Sequence, residues 1–234
     1  THATVAAFNV ALAENPRMNQ FVMGRRLYER DGRYLTFSMK REQLNKRAKL
    51  SAVKLRMLDG ENFRQLCERI NGNIHVERSG DKTYADKEFD IFLFLPRPVL
   101  RGAASLIRTL DYFNLLPASF IEKDGMYTSL FVANLGSVGM GPGYHHLYEW
   151  GTCPLFAMIG KVEDTAVVVD GKVKAQKTMH IRFSYDERID DGLTARYGID
   201  SAVRVLENPY KYLGCVKEDG SDTTSMWPRS GEVA

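Results

Sequence analysis

At 234 residues, 44% hydrophobic and 26% charged, the chain is long enough for one sizeable core and has the balance of an ordinary globular protein. A net charge of +3, from 32 basic against 29 acidic residues, is too near balance to indicate a nucleic-acid partner. Three cysteines (Cys67, Cys153 and Cys215) are odd in number, widely spaced and free of any C-x-x-C pair, which argues against a disulfide scaffold or a metal site and for a reducing, cytoplasmic setting.

No signal peptide is legible, and the first residues read as the inside of a helix, so an upstream segment is expected. Residues 3 to 14 place Val5, Phe8, Val10, Ala11 and Leu12 on a broad helical face, and Pro16 follows as a stop. From Gln20 to Lys40 the pattern turns extended. Tyr28-Glu29-Arg30 and Arg33 to Phe37 read as two strands around an Asp31-Gly32 turn. Arg41 to Lys54 is basic and reads as a solvated strand face or as an attractor of cofactor phosphates. Asp59 is a good N-cap for a helix in which Phe63, Leu66, Cys67 and Ile70 recur at helical spacing.

Gly72 to Lys87 is polar and predicts a loop. Phe89 to Leu100 is the most apolar run, too short to span a bilayer, and continues through Leu106, Ile107, Leu110, Leu115 and Leu116 with Arg101 and Arg108 among them. It reads as a helical elaboration packed on the core or on another subunit, or as an amphipathic hairpin in peripheral contact with a membrane. Met126 to Val132 predicts a strand ending in Ala133-Asn134-Leu135-Gly136, and Pro154 to Val162 a buried strand. Thr165 to Val169, the turn Asp170-Gly171 and Lys172 to Tyr185 predict a hairpin. A helix follows from about Asp190 to Glu207 with Ala195, Ile199, Ala202, Val203 and Leu206 inward, ended by Asn208-Pro209. Residues 1–213 thus predict one α+β domain with a mixed sheet, and 214–234 a mobile polar tail.

Two stretches carry candidate chemistry. Ser184 to Gly192 is a charge-dense joint between a strand and a helix, where rigid neighbours hold functional groups in place. Tyr144-His145-His146-Leu147-Tyr148-Glu149-Trp150 puts two adjacent imidazoles among aromatic rings, suited to a proton acceptor, a ligand pocket or a packing role. As a metal site the His pair is weak, because ligands two apart on a strand or four apart on a helix converge better. Cys153 reads as a small core residue, and His2, His75 and His180 have no legible partner.

The run Glu187-Arg188-Ile189-Asp190-Asp191-Gly192 resembles the H-R-x-x-D-G signature of the dihydrolipoyl acyltransferase cores of 2-oxo acid dehydrogenase complexes, shared by chloramphenicol acetyltransferase as H-x-x-x-D-G. Ala11 to Asn19 is similar to the family's A-L-x-x-x-P-x-x-N helix end, Ala133-Asn134-Leu135-Gly136 to its S-N-L-G strand, Pro154 to Gly160 to its P-x-x-x-x-x-G strand, and Leu206-Glu207-Asn208-Pro209 to its closing L-L-E-x-P. The resemblance implies a chloramphenicol acetyltransferase-like two-layer sandwich. It implies a homotrimer, in some members assembled further, with sites between subunits that take coenzyme A from one side and a thiol or hydroxyl acceptor from the other.

In the family the motif His is the general base and the residue before Asn-Leu-Gly helps hold the oxyanion. Here those positions are Glu187 and Ala133. Loss of a base costs about 10²- to 10⁴-fold and loss of an oxyanion donor about 10²- to 10³-fold. The expectations are therefore a stand-alone acyltransferase with an altered mechanism, or an inactive trimeric scaffold or ligand-binding member. In the first, Glu187, His145 or His146 is the base, Asp191 supplies geometry and Asn134 or backbone N–H groups support the oxyanion. Glu187 reads first as an ion-pairing or hydrogen-bonding acid at a helix start, and as a base only after that.

Overall fold

The computed structural model describes residues 1–41, 50–79, 96–214 and 226. Its centre is α1, His2–Glu14, in which Thr4 to Leu12 are all buried. A helix that is apolar all round belongs in the interior rather than on a surface, so the broad face expected from the sequence is in fact the whole circumference. Pro16 opens a 3₁₀ turn, Pro16–Asn19, that leads into β1, Gln20–Met23.

β1 pairs antiparallel with β2, Arg26–Glu29, across Gly24 and Arg25. Both turn residues have positive φ, as a two-residue hairpin turn requires. This corrects the expected hairpin around Asp31-Gly32. There only Gly32 has positive φ, and the chain passes to another sheet, in which β3, Tyr34–Lys40, pairs with β4, Leu50–Arg56. Of the basic stretch 41–54, residues 42–49 lie outside the described part.

Asn62, not Asp59, caps α2, Phe63–Arg78. The Asn62 side chain accepts from the Gln65 N–H and the Gln65 side chain accepts from the Asn62 N–H, the reciprocal arrangement of a capping box. Asp59 instead pairs with Arg33 at 2.7 Å. α2 runs through Gly72 and His75, so the loop expected from Gly72 begins no earlier than Ser79, and 80–95 lie outside the described residues with most of the Phe89–Leu100 run.

Two further helices, α3 (Arg97–Tyr112) and α4 (Ala118–Lys123), precede β5, Leu130–Asn134. No residue of α3 is buried, and Val99 and Leu106 are more than half exposed. No described helix is long and apolar enough to cross a membrane. β6, Leu155–Val169, merges the two strands expected there and turns at Asp170-Gly171, both with positive φ, into β7, Lys172–Tyr185. α5, Gly192–Glu207, and α6, Pro209–Tyr212, close the described chain.

The main sheet has the order β4-β3-β5-β6-β7, with β5 parallel to β3 and β6 and the outer pairs antiparallel, a mixed sheet as expected. Leu35, Leu55, Leu130, Val132, Leu155 and Ala157 face α1, α2 and α5 and form the principal core. The inner residues of α5 are Ala195, Gly198, Ala202 and Val205, whereas Val203 is 42% exposed. Of the expected tail, Met226 is described: it is buried in the core and its N–H donates to the Glu61 carbonyl at 3.0 Å.

Phe8 has no exposed surface and its ring lies 5.5 Å from that of Phe183 on β7. Phe8→Ala is expected to cost about 3–5 kcal/mol in urea unfolding, since the cavity would open between the central helix and the sheet. A loss below about 1 kcal/mol would contradict this placement of α1.

Candidate active site

Neighbouring residues in paired strands share a face. The register therefore aligns Lys54, Thr36, Phe131, Phe156 and Ser184 across all five strands on the face away from the helices. A second, smaller apolar cluster grows there from Phe131, Cys153, Phe156 and Met158, covered by Leu147 and Tyr148. The segment 141–151 is laid across it. Gly160 makes this possible, because a Cβ there would meet Pro142 Cδ at 2.4 Å.

The aromatic rings of this segment form a stack. Phe131 lies on Phe156 at 5.1 Å, Phe156 on His145 at 4.2 Å, and His145 on His146 at 5.0 Å, all near parallel. His145 Nδ1 meets the His146 carbonyl at 2.5 Å and His146 Nδ1 the Leu147 carbonyl at 2.7 Å. A carbonyl only accepts, so Nδ1 carries the proton in both neutral rings and Nε2 keeps its lone pair. His146 is exposed and His145 partly covered. The Ser184 hydroxyl donates to the His145 carbonyl, and Arg182 stands 4.4 Å from the Tyr144 ring, so β7 anchors the segment.

The charge-dense joint follows directly from β7. The Asp186 N–H donates to the Pro154 carbonyl at 2.9 Å, and its carboxylate takes a two-point contact from Arg188 at 2.8 and 2.7 Å. Burial pushes Asp186 up, but the Arg188 side chain and N–H more than reverse this and leave it below the usual carboxylate range. Asp190 Oδ1 accepts the Asp191 N–H, and Oδ2 lies 2.8 Å from Arg17 Nε. Burial, helped by Asp190, Asp191 and Asp186, pushes the Tyr185 phenol up to about 12.

Asp191 is the N-cap of α5 and accepts the Thr194 N–H at 2.9 Å, which holds its carboxyl low. Glu187 is exposed, and its Oε1 lies 3.8 Å from the place a Cβ on Gly192 would take. Among the described residues no hydrogen bond or ion pair reaches its carboxylate. The motif arginine thus serves Asp186, and the helix-start acid is Asp191.

Asn134 ends β5. Its Oδ1 accepts the Ser137 N–H at 3.1 Å across the 3₁₀ turn Leu135–Val138, and its Nδ2 donates to Thr1 Oγ1 at 2.9 Å. Ala133 packs at the edge of the smaller cluster. Asn134 pairs with Ile159 on β6, on the face that meets α1, while Tyr185 pairs with Leu155, so Asn134 and the joint stand four residues or about 13 Å apart along β6. The structure ties the His145 backbone to Ser184 at the start of the joint and leaves Asn134 at the far end, on the α1 face. Cys153 is buried, and burial pushes its thiol up to about 12. His75 lies on α2, His180 on β7, and His2 Nε2 is 3.1 Å from Asn71 Oδ1. Among the described residues no group of three or more His, Cys, Asp or Glu gathers to hold a metal.

Sequence reading missed the Ser184 and Arg182 anchors, and it missed Arg30 and Lys54, which share the open face. Period-two alternation around Val53 and Leu55 was the available sign that Lys54 points away from the main core.

A mixed five-stranded sheet with helices on one face and a second cluster on the other defines an α+β layer protein. Residues 122–214 match the family model of the 2-oxoacid dehydrogenases acyltransferase (catalytic domain). Over 56 residues, 23% of this chain, the sequence is 43% identical to the dihydrolipoyllysine-residue succinyltransferase component of the 2-oxoglutarate dehydrogenase complex of Rickettsia conorii, and equally to that of Rickettsia typhi. The matched stretch spans 13% of those relatives' length.

Among solved structures, the fold is similar to a probable dihydrolipoamide acetyltransferase from Listeria monocytogenes, with TM-score 0.62 and 14% identity over 88% of this chain and 69% of that one. It is also similar to a truncated catalytic core of the 2-oxoacid dehydrogenase multienzyme complex from Thermoplasma acidophilum, with TM-score 0.52 and 15% identity over 89% and 75% of the two chains.

Gly160→Val is expected to lift the 141–151 segment from the sheet, because its side chain claims the space of Pro142. Trp150, whose Nε1 donates to Asp124 at 2.6 Å, reports this: its emission should shift to the red while the far-ultraviolet circular dichroism stays unchanged. An unshifted emission would show that the segment is held independently of Gly160.

Proposed function

We propose that this chain is a CoA-dependent acyltransferase whose base is His146, working in a homotrimer with sites completed between copies. One observation carries the reading: a backbone carbonyl fixes the Nδ1 proton of an exposed imidazole, so its Nε2 is left as a proton acceptor, in a segment that Ser184 of the joint anchors. The acceptor thiol or hydroxyl gives its proton to Nε2 and attacks the thioester carbonyl. The tetrahedral oxyanion then collapses, the carbon–sulfur bond breaks, and the departing CoA thiolate recovers the proton from the imidazolium.

The oxyanion needs a donor. Asn134 Nδ2 carries two hydrogens, of which Thr1 Oγ1 takes one. Because Asn134 lies on the α1 face, at the far end of β6 from the joint, the second hydrogen meets His146 only when Asn134 comes from another copy. The open apolar face of α3 and the ribbon of β6 and β7 beyond Val162, with Val168 and Val173 exposed, offer surfaces for such packing. Glu187, unpaired among the described residues, is placed to hold the joint's charge balance rather than to take the proton.

The test is CoA release from acetyl-CoA with a dithiol acceptor, run on protein whose mass is followed by sedimentation. His146→Ala should lower the rate by about 10²- to 10⁴-fold, and Glu187→Gln should leave it within a few-fold. Loss with Glu187→Gln and not with His146→Ala would move the base to the carboxylate. Absence of turnover and of CoA binding in a three-copy species would leave the scaffold reading, which the alanine at position 133 favours.

A further inference from the structure

Arg30 follows β2, and its guanidinium lies against the sheet's open face beside Lys54. One Nη donates to the Thr152 carbonyl at 2.8 Å and to the Thr152 hydroxyl at 3.0 Å. The guanidinium carbon stands 4.6 Å from the Phe21 ring centre. Its Nε is sealed from solvent, with no acceptor among the described residues. Lys54 Nζ donates to the carbonyls of Ile121 and Asp124 at 2.7 and 3.1 Å, and lies 5.2 Å from the Tyr34 ring centre.

Among the described residues neither cation makes an ion pair. The Asp124 carboxylate acts on Lys54 without touching it, its Oδ1 accepting the Met126 N–H and its Oδ2 the Trp150 indole N–H. Thr36, the cross-strand neighbour of Lys54, adds a buried hydroxyl without a partner. The groups facing Lys54 are therefore Arg30 after β2, Tyr34 on β3, and Glu122 and Asp124 on and after α4. Burial, and then repulsion from Arg30, pulls the Lys54 ammonium down to about 8, and burial pulls Arg30 down to about 10.

Two half-buried cations side by side, with no carboxylate among the described residues in contact with either, are costly unless something more neutralises them. We propose that Arg30 and Lys54 form a binding site for a small oxyanion, a phosphate or carboxylate group, held by the free Arg30 Nε–H and the Lys54 ammonium with the Thr36 hydroxyl beside them. The site shares the sheet face with the His145–His146 stack, and Lys54 and Phe156 are separated by three strand spacings, about 14 Å. The anionic end of an elongated substrate held here would leave its other end near the imidazoles. Anion binding itself does not depend on acyl transfer.

Titration with inorganic phosphate and, in a parallel arm, succinate tests it, against chloride at equal ionic strength. Bound anion should raise the Tm with concentration and raise the Lys54 pKa, read by NMR of the reductively methylated amine, by about one unit or more. Lys54→Met and Arg30→Met should each abolish the concentration-dependent rise. A response to phosphate alone assigns a phosphate group, and one to succinate alone a carboxylate. If Arg30→Met fails to fold, Lys54→Met decides alone. An equal Tm rise in Lys54→Met, or an unmoved Lys54 pKa in the parent protein, overturns the proposal.

Discussion

The parallel register of β5 between β3 and β6 is the constraint on which the rest depends. It sorts alternate residues so that Leu130 and Val132 meet α1 while Phe131 and Ala133 face the 141–151 segment. A slip of one residue would exchange the two sets, putting Phe131 among the helices and stripping the His stack of its floor. Two glycines hold the far end of this arrangement. A Cβ on Gly136 would lie 2.4 Å from the Gly160 carbonyl oxygen, and Gly160 in turn admits Pro142. The backbone can close on itself there only because neither position has a side chain.

What the sequence revealed of this depended on how local the cause was. The Asp170-Gly171 hairpin was legible, because a turn is decided within four residues, whereas the helix-start acid expected at Glu187 proved to be Asp191. Asp31-Gly32 has the same dipeptide and a different outcome. β2 finds its partner on the other side, through Gly24 and Arg25, and a turn motif does not state which strand is next. The mixed sheet as a class was readable, but its order β4-β3-β5-β6-β7 joins segments some hundred residues apart, and single-chain periodicity carries nothing of that.

The candidate site was legible in composition and not in wiring. Glu187, Arg188 and Asp191 stand in the family order, yet Arg188 has a choice of two adjacent acids. Asp186 prevails because it accepts both the guanidinium and the Arg188 N–H, three bonds closing on one carboxylate. That leaves Glu187 outside the network its position suggested. The His pair gained in the opposite sense: two imidazoles that looked ambiguous in the sequence are each given a defined tautomer by a neighbouring carbonyl, a backbone effect that side-chain spacing does not encode.

The open face also carries an unbalanced charge, and linkage gives its sign. Lys54 binds its proton less tightly folded than unfolded, so between about 8 and its ordinary value of 10.5 the unfolded chain holds more protons and stability rises with pH. Cys153 opposes this only above its ordinary 9.0, because its folded thiol stays protonated to about 12 while the unfolded one ionises, so stability falls as pH rises through that range. From about pH 8 to 9 the ammonium therefore acts without that opposition, though partial exposure screens its effect. An ordinary structural lysine would have found a carboxylate; this one is left between carbonyls, an aromatic ring and a second cation. A fold that keeps such a pair on the one sheet face not covered by its main helices retains it against its own stability, as expected where the missing charge arrives with a ligand.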